Sequence, residues 1–325
     1  MTIRPWADIA GMVAVIVALV ALFSAVSEHF FTALTFATIA NQIPALLVVA
    51  VGMTLVLVSG AIDLSVGSLL AVSGATMGMA LTAWSLPLPI AIALCLAIGL
   101  VGGAVNGAII VAWRVPSFIV TLGMLEVARG AAYLITDTRS VFVGSSVAVI
   151  SSPIPGLGIA PAFVAAVLIV WGAQVLLTRT VFGRYLVAIG TNEEAVRLAG
   201  VDPRPIRLAV FALSGALAAL GGVFHVSYLE TVDPNAGIGL ELSAIAAVVV
   251  GGTSLSGGHG SVVRSFLGVL IIALLQTGLA QAGASEPVKR VVTGSVIVAA
   301  VILDAYRRRT GDARGSMLRR ARRGA

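Results

Sequence analysis

Ten apolar runs dominate the chain and most constrain its fold. A helix needs about 20 apolar residues to cross the hydrocarbon core of a membrane, and most of these runs approach that length. They fall at residues 8–27, 41–59, 64–84, 87–111, 116–136, 160–178, 207–228, 241–252, 262–282 and 287–305. We therefore predict an all-α polytopic membrane protein with about ten transmembrane helices. The eighth run is short, and we predict a partial or broken helix there.

Composition excludes a soluble domain. Of the 325 residues, 59% are hydrophobic and 10% are charged, whereas a soluble domain carries about 25% charged residues. The 36 glycines fit closely packed transmembrane helices. Arg4 before the first run is typical of a signal peptide. That run has no clear small-x-small cleavage site after it, so we predict a retained span.

Basic residues predict the orientation of the spans. With the N-terminus in the cytoplasm, 16 of the 20 basic residues fall in cytoplasmic segments, three fall outside, and Arg129 lies within a span. This asymmetry agrees with the positive-inside rule, and an even number of spans returns the C-terminus to the cytoplasm. Residues 1–306 then form a single transmembrane domain. We expect the basic tail, residues 307–325, to contact anionic lipid and not nucleic acid, because no aromatic stacking platform accompanies it.

The stretch GGTSLSGGHGS, Gly251–Ser261, is similar to the signature loop by which ABC-type ATPases hold ATP. An ATPase also needs a Walker A loop, whose lysine contacts the phosphates. The single lysine of this chain, Lys289, follows no glycine loop. We therefore predict that the stretch is a glycine-rich turn between two apolar runs. Part of its pattern also occurs from Gly60 to Gly67, which suggests an internal repeat.

Residues 179–207 form a polar segment that this topology places in the cytoplasm. Asn192 can cap a short helix, Glu193 and Glu194 fall in its first turn, and Gly200 can stop it. The segment is either a solvated connector or a docking surface for a cytoplasmic partner. The main outer segment, residues 137–160, is rich in Ser, Gly and Pro and predicts an irregular loop.

Four stretches of the sequence resemble one protein family in the same order. They are VGMTLVLVSGAIDLSVGSLLAVSG (Val51–Gly74), VPSFIVTLGMLEVARG (Val115–Gly130), GRYLVAIGTNEEAVRLAGV (Gly183–Val201) and ELSAIAAVVVGGTSLSGGHGS (Glu241–Ser261). Over about residues 40–305, the chain resembles the inner-membrane permease subunits of bacterial ABC importers for monosaccharides, the ribose/xylose/arabinose/galactose group.

The resemblance implies a permease of the larger importer type, similar in architecture to the vitamin B12 permease. Such a permease lies in the bacterial inner membrane and works as a pair, here expected to be a homodimer. It receives sugar from a periplasmic binding protein and is driven by a separate cytoplasmic ATPase. ATP and magnesium would then bind to the ATPase, while this chain would bind no cofactor and would not itself be an enzyme.

The resemblance further implies that Gly183–Val201 is the loop that couples the permease to its ATPase. We expect contacts from Asn192, Glu193, Glu194 and Arg197. Small residues in the loop would allow close approach or end the helix. The predicted coupling residues are Gly183, Gly190, Asn192, Glu193, Glu194, Ala195, Arg197 and Gly200.

Several polar residues within or between the apolar runs are candidates for a gate or a pathway lining. They are Asp63, Ser65, Asn106, Thr121, Arg129 and Glu241. Asp63 is expected to cap a helix that begins near Leu64, with Ser65 supporting the turn, and a gate role is compatible with this. Glu126 and Arg129 lie three residues apart and could form an ion pair or line the pathway.

The remaining candidates leave two interpretations open. Glu241 either caps its span or contacts the binding protein. Asn106 and Thr121, like Asn41, Ser214 and Gln276, either hydrogen-bond between helices or line a sugar path. His225 is more typical of a packed residue than of a ligand.

No metal or catalytic site is predicted. One cysteine and three scattered histidines give no metal-binding spacing, and no nucleophile–base pair is evident. The alternative functions are an ABC permease for branched-chain amino acids or nucleosides, or an ion-coupled secondary transporter. The last would need more carboxylates or histidines within the membrane than this chain carries.

Overall fold

A computed structural model describes residues 5–296, 298–299 and 302, and it is almost entirely helical. The helices are α1 (Pro5–Val26), α2 (Ala33–Gln42), α3 (Pro44–Val58), α4 (Val66–Thr82), α5 (Leu88–Trp113), α6 (Ser117–Thr136), α7 (Pro161–Arg179), α8 (Val181–Leu198), α9 (Arg204–Leu229), α10 (Leu240–Val250) and α11 (Val262–Gln281). Residues 286–296 are also helical. The described residues do not include Arg4, most of the last part of the tenth run (residues 297, 300, 301 and 303–305) or the tail of residues 307–325. The roles predicted for these residues stay predictions.

The prediction of an all-helical polytopic protein is confirmed in its coarse form. In the described part of the chain, six helices are long and apolar enough to cross a membrane, namely α1, α5, α6, α7, α9 and α11. The bent pair α2–α3 raises the number to seven, whereas α4 and α10 are shorter apolar helices. The expected count of about ten full spans is therefore not confirmed. The short eighth helix is confirmed, because α10 has only 11 residues.

The second predicted span, residues 41–59, is wrong in its limits. The structure has α2 and α3 there, bent by 50° at the junction between them. Pro44 is the first residue of α3, and a proline disfavours helical backbone in the residue before it. The apolar run continues through this break, so hydropathy alone did not reveal it.

Glycines allow α5 and α9 to pack closely. A Cβ atom on Gly99 or Gly103 of α5 would collide with the backbone of α9 at Gly215 and Phe211, respectively. Gly107, one turn further along, faces Leu208 in the same way. This spacing of small residues every four positions lets the two helix backbones approach each other inside a membrane. Cys95 lies buried on the same helix as a packing residue, and its Sγ donates to the carbonyl of Ala219.

Helix α3 forms the centre of the core, with nearly every residue buried. Helices α7, α9, α10 and α11 pack around it. The one departure from helical structure among the described regular elements is a two-residue antiparallel pair, in which Val141 faces Val232 and Phe142 faces Thr231. It joins the segment after α6 to the segment after α9. The segment of residues 137–160, predicted to lie outside, otherwise contains a short 3-10 helix, Ser145–Ile150, and irregular chain.

Candidate intramembrane site and coupling surface

Two irregular segments lie inside the helix bundle, where a polar backbone is costly. Residues 59–65 separate α3 from α4, and residues 233–239 precede α10. Asp63 bonds to Ser214, which is ten residues into α9 and therefore about 15 Å along that helix. Nearer to α3, the amide of Ile62 donates to Ser117, the first residue of α6, so the first segment runs into the bundle from the level at which α6 begins. In such a place every backbone N–H group needs a partner inside the protein.

Asp63 organises the first segment. Its Oδ1 accepts hydrogen bonds from the amide of Ser65 at 3.0 Å and from the hydroxyl of Ser65 at 2.6 Å. Its Oδ2 accepts from the hydroxyl of Ser214 on α9 at 2.9 Å. Helix α4 begins at Val66, two residues after the expected start near Leu64, and the cap position is held by Ser65 and not by Asp63. The carboxylate therefore closes the turn before the helix and ties it to α9.

Side chains from α5 and α6 satisfy the rest of this segment. The amide of Leu64 donates to Thr121 Oγ1 at 3.1 Å, and the amide of Ile62 donates to Ser117 Oγ at 3.0 Å. Asn106 Nδ2 donates to the hydroxyl of Ser65 at 2.9 Å. The hydrogen-bonding interpretation of Asn106 and Thr121 is thus the one the structure shows. Ser117 belongs to the same set, although its position at the start of an apolar run gave no sign of this.

Arg129 holds the second segment. Its Nη1 donates to the carbonyl oxygens of Pro234 at 2.6 Å and Ala236 at 2.7 Å. The expected ion pair between Glu126 and Arg129 is wrong, since the structure shows no such pair between these two described residues. Among the described residues, no other hydrogen-bond acceptor lies as close to the guanidinium. The two carbonyl oxygens are available because the segment is not helical. Arg129 therefore fastens the chain ahead of α10 to α6.

Glu241 lies where α4 and α10 begin. Its Oε1 accepts from the amide of Gly239 at 3.2 Å, and its carboxylate lies against Gly67 in the first turn of α4. Gly67 also faces the carbonyl of Gly237, so a side chain at position 67 would collide with the second segment. Both helices thus start beside one carboxylate, which is favourable because helix N-termini carry partial positive charge. Of the two interpretations of Glu241, this geometry agrees with capping.

All six predicted gate or pathway residues lie at these two segments, but they differ in solvent exposure. Asp63, Ser65, Asn106 and Thr121 are fully buried and engaged in holding the chain. Arg129 and Glu241 are only partly buried. Among the six, only Arg129 and Glu241 therefore present surface that a passing solute could touch.

The segment predicted to be cytoplasmic forms α8, which is broken at Asn192. Asn192 has extended backbone, with φ −164° and ψ 97°, and its Oδ1 accepts from the amide of Ala195 at 3.0 Å. Gly200 follows the end of the helix with φ +82°. The predicted cap and stop are confirmed. The helical part of α8 before Asn192 was not predicted.

Gly190 allows α8 to pack against two glycine turns, the one at Gly60 and the one at Gly251–Ser261. Its Cα lies so close to the carbonyl of Val58 and the amide of Gly258 that a Cβ atom would overlap both. The amide of Gly258 itself donates to Val58 O at 2.9 Å. Gly60 and Gly257 are also neighbours of Gly190. The stretch Gly251–Ser261 is confirmed as a turn between two helices, and it meets the related turn at Gly60. We call this contact of three backbones the glycine junction.

Comparison with known proteins decides the family. The sequence model of the family described as "Branched-chain amino acid transport system / permease component" matches residues 35–301. The chain belongs to this family of transport permeases. Among curated relatives, the permease is 39% identical to the ribose import permease protein RbsC of Escherichia coli (strain K12), over 88% of this chain and 90% of RbsC.

Other relatives of the permease are named for the transport of different solutes. It is 35% identical to the L-arabinose ABC transporter permease protein AraH of Azospirillum brasilense, over 92% of this chain and 88% of AraH. It is 31% identical to the autoinducer 2 import system permease protein LsrC of Photorhabdus luminescens, over 91% of this chain and 89% of LsrC. No solved structure matches the permease. Among its described residues, no group of three His, Cys, Asp or Glu side chains could hold a metal ion.

Most of the predicted coupling residues of α8 after Asn192 are exposed. Glu194, Ala195 and Arg197 are exposed, as is Leu198 at 82%. Glu193 is instead engaged within the chain, between Arg197 at 2.9 Å and Arg207. Of the predicted contact residues, Glu193 is therefore the least available to bind a partner, because its carboxylate is already paired within the chain. Leu198 was not among the predicted contact residues. An apolar side chain just before the stop glycine of a polar helix could have indicated it.

Proposed function

We propose that this chain passes a monosaccharide from a periplasmic binding protein across the bacterial inner membrane. It acts as one of two permease copies and is driven by a separate cytoplasmic ATPase. The observation that carries the proposal is the identity over most of the chain to permeases named for ribose and arabinose import. The lack of a Walker A lysine supports the assignment of ATP and magnesium to the ATPase and not to this transport subunit.

We infer an architecture of the larger importer type, with both termini in the cytoplasm. The excess of arginine in the predicted cytoplasmic segments supports the orientation. The two short helices α4 and α10, each preceded by irregular chain, support a transporter with interrupted spans.

We propose that Arg129 and Glu241 line the pathway. Both are partly buried and polar, and the nearby Glu126 is exposed on α6. Charged side chains on a membrane helix need water or a polar partner and not lipid. This face of α6 therefore fits a water-filled path between two copies, where sugar hydroxyls could exchange hydrogen bonds with Arg129 and Glu241.

Uptake of labelled solutes tests the cargo. We expect cells that lack this chain to lose high-affinity uptake of one monosaccharide, tested with ribose, arabinose and fructose, and to regain it on re-expression. Leucine and uridine uptake should not change. Loss of leucine or uridine uptake with sugar uptake intact would favour the alternative permease. Uptake that survives deletion of the ATPase but stops with a protonophore would favour an ion-coupled transporter.

Replacement of Glu194 and Arg197 by alanine is expected to uncouple transport. Both side chains are exposed on the capped helix of α8, and their mutual distance of 4.0 Å gives only a weak ion pair. We expect normal amounts of permease in the membrane but at least tenfold lower uptake and weaker copurification of the ATPase. The double alanine variant at Asp137 and Arg139, an exposed pair elsewhere on the chain, is the control. Normal uptake with normal ATPase association contradicts the coupling assignment.

A further inference from the structure

A groove of about 470 Å³ lies between the α5–α6 connection and the region where α8 and α9 meet. Part of its lining is strongly basic. Arg114, Arg197, Arg204 and Arg207 line it against a single carboxylate, that of Glu193. Four arginines and one glutamate leave three positive charges in excess.

Two of these arginines have no partner within the described part of the chain. Glu193 is shared by Arg197 and Arg207, and no described carboxylate lies within ion-pairing distance of Arg114 or Arg204. Arg114 and Arg204 are both exposed. They come from different cytoplasmic connections, one after α5 and one at the start of α9, so the fold brings two unpaired guanidinium groups to one groove.

Another part of the lining is apolar. Ile62, Ile110, Val111, Phe118 and Leu255 form it. Ile110 and Val111 belong to the last turns of α5, and Phe118 belongs to the first turn of α6. Both helices qualify as membrane spans and are mostly exposed along their length. The apolar lining residues of α5 are therefore continuous with a surface that lipid chains can reach.

The ends of α5 and α6 mark the level of the membrane surface. Trp113 is 71% exposed at the end of α5, and Phe118 is 49% exposed at the start of α6. Aromatic side chains at the ends of spans are typical of the zone between hydrocarbon and water. The predicted orientation puts this end of both helices in the cytoplasm, where the leaflet carries anionic lipids.

We propose that this groove is a binding site for one anionic phospholipid. The headgroup phosphate lies against Arg114 and Arg204, and part of an acyl chain lies along the apolar part of the lining. Guanidinium groups bind phosphate oxygens in pairs. Gly60 and Leu255 also line the groove, so the lipid would rest beside the glycine junction and join the α5–α6 connection to α8.

The mixed lining favours a lipid over other anions. A free phosphate would need only the arginines and would leave the apolar part in water. An acidic protein segment would place carboxylates against Ile110, Val111 and Phe118. A phospholipid satisfies both parts, because its charge and its chain are adjacent in one molecule.

Lipid retention by the purified full-length permease tests the site. The permease in detergent is titrated with dioleoylphosphatidylglycerol or dioleoylphosphatidylcholine, and bound lipid is counted by native mass spectrometry. We expect one phosphatidylglycerol per chain and no comparable binding of phosphatidylcholine. The double variant Arg114→Gln, Arg204→Gln should bind phosphatidylglycerol about 30-fold more weakly, equivalent to about 2 kcal/mol for two arginines near a lipid headgroup.

Matched variants keep the result interpretable. Arg179→Gln with Arg184→Gln removes two exposed arginines of the α7–α8 turn outside the groove and should bind as the wild type does. Arg114→Lys with Arg204→Lys keeps the charge and should retain most of the binding even if the glutamine variant fails to fold. Wild-type binding by the glutamine variant, or equal binding of phosphatidylcholine, overturns the proposal. Displacement of the lipid by millimolar inorganic phosphate or by a polyglutamate peptide also overturns it. The assay contains neither sugar nor ATPase, so its failure leaves the proposed transport function standing.

Discussion

Replacement of Gly190 by valine is expected to abolish sugar uptake. A Cβ atom at position 190 would lie 2.6 Å from the amide nitrogen of Gly258 and closer still to the carbonyl oxygen of Val58. These are backbone atoms, joined by a hydrogen bond of 2.9 Å, so neither can move without the other. Overpacking of this kind costs about 1–3 kcal/mol. We therefore expect a lower unfolding temperature in detergent and at least a tenfold loss of uptake.

Gly172→Val is the matched control for this variant. Gly172 lies in α7 with open space where its Cβ atom would be, and we expect its uptake and unfolding temperature to stay close to wild type. Chemical crosslinking between α8 and the turn at Gly257 should fall in the Gly190 variant and not in the control. Wild-type uptake by Gly190→Val would show that α8 need not contact the glycine junction for transport.

Replacement of Asp63 by alanine is expected to destabilise the permease strongly. Three hydrogen bonds end on its carboxylate, from the Ser65 amide, the Ser65 hydroxyl and the Ser214 hydroxyl. A buried polar group that loses its partner costs about 1–3 kcal/mol, and here several groups lose theirs at once. We expect the free energy of unfolding to fall by about 3 kcal/mol or more. The measurement is thermal unfolding of the purified permease in detergent.

Asp63→Asn separates the hydrogen bonds from the charge. The amide oxygen can still accept both bonds from Ser65, while the amide nitrogen can donate to the hydroxyl of Ser214. We expect this variant to lose about 1 kcal/mol or less. Asp137→Ala is the exposed control, since that side chain is 85% exposed. An alanine variant as stable as wild type would mean that the segment of residues 59–65 does not depend on Asp63.

Much of the candidate site could be predicted because it rests on local chemistry or on family resemblance. The cap at Asn192 and the stop at Gly200 follow from residue types that favour those backbone positions. Asp63, Ser65, Asn106 and Thr121 stood out as polar residues in apolar surroundings. Their pairing with one another, however, depends on α5, α6 and α9 lying side by side, which no local pattern specifies.

Other features depended on contacts between distant parts of the chain. Arg129 and Glu126 have the spacing of a helical ion pair, yet Arg129 bonds to Pro234 and Ala236 because an irregular segment places two free carbonyls beside it. The glycine junction joins residues near positions 58, 190 and 258. Glycine permits such an approach, but the sequence does not say which backbones will meet.

The sequence by itself determined that this chain is a helical membrane protein, because apolar runs and arginine placement depend on the bilayer and not on the fold. Its resemblance to one permease family rested on four sequence stretches in order. The sequence also determined where the part of α8 after Asn192 is capped and where that helix stops. Only the tertiary structure decided that α4 and α10 start beside the same carboxylate of Glu241 and that α8 rests on two glycine turns. These arrangements arise from packing between segments far apart in the chain, where steric fit and the need to pair buried polar groups select the partners.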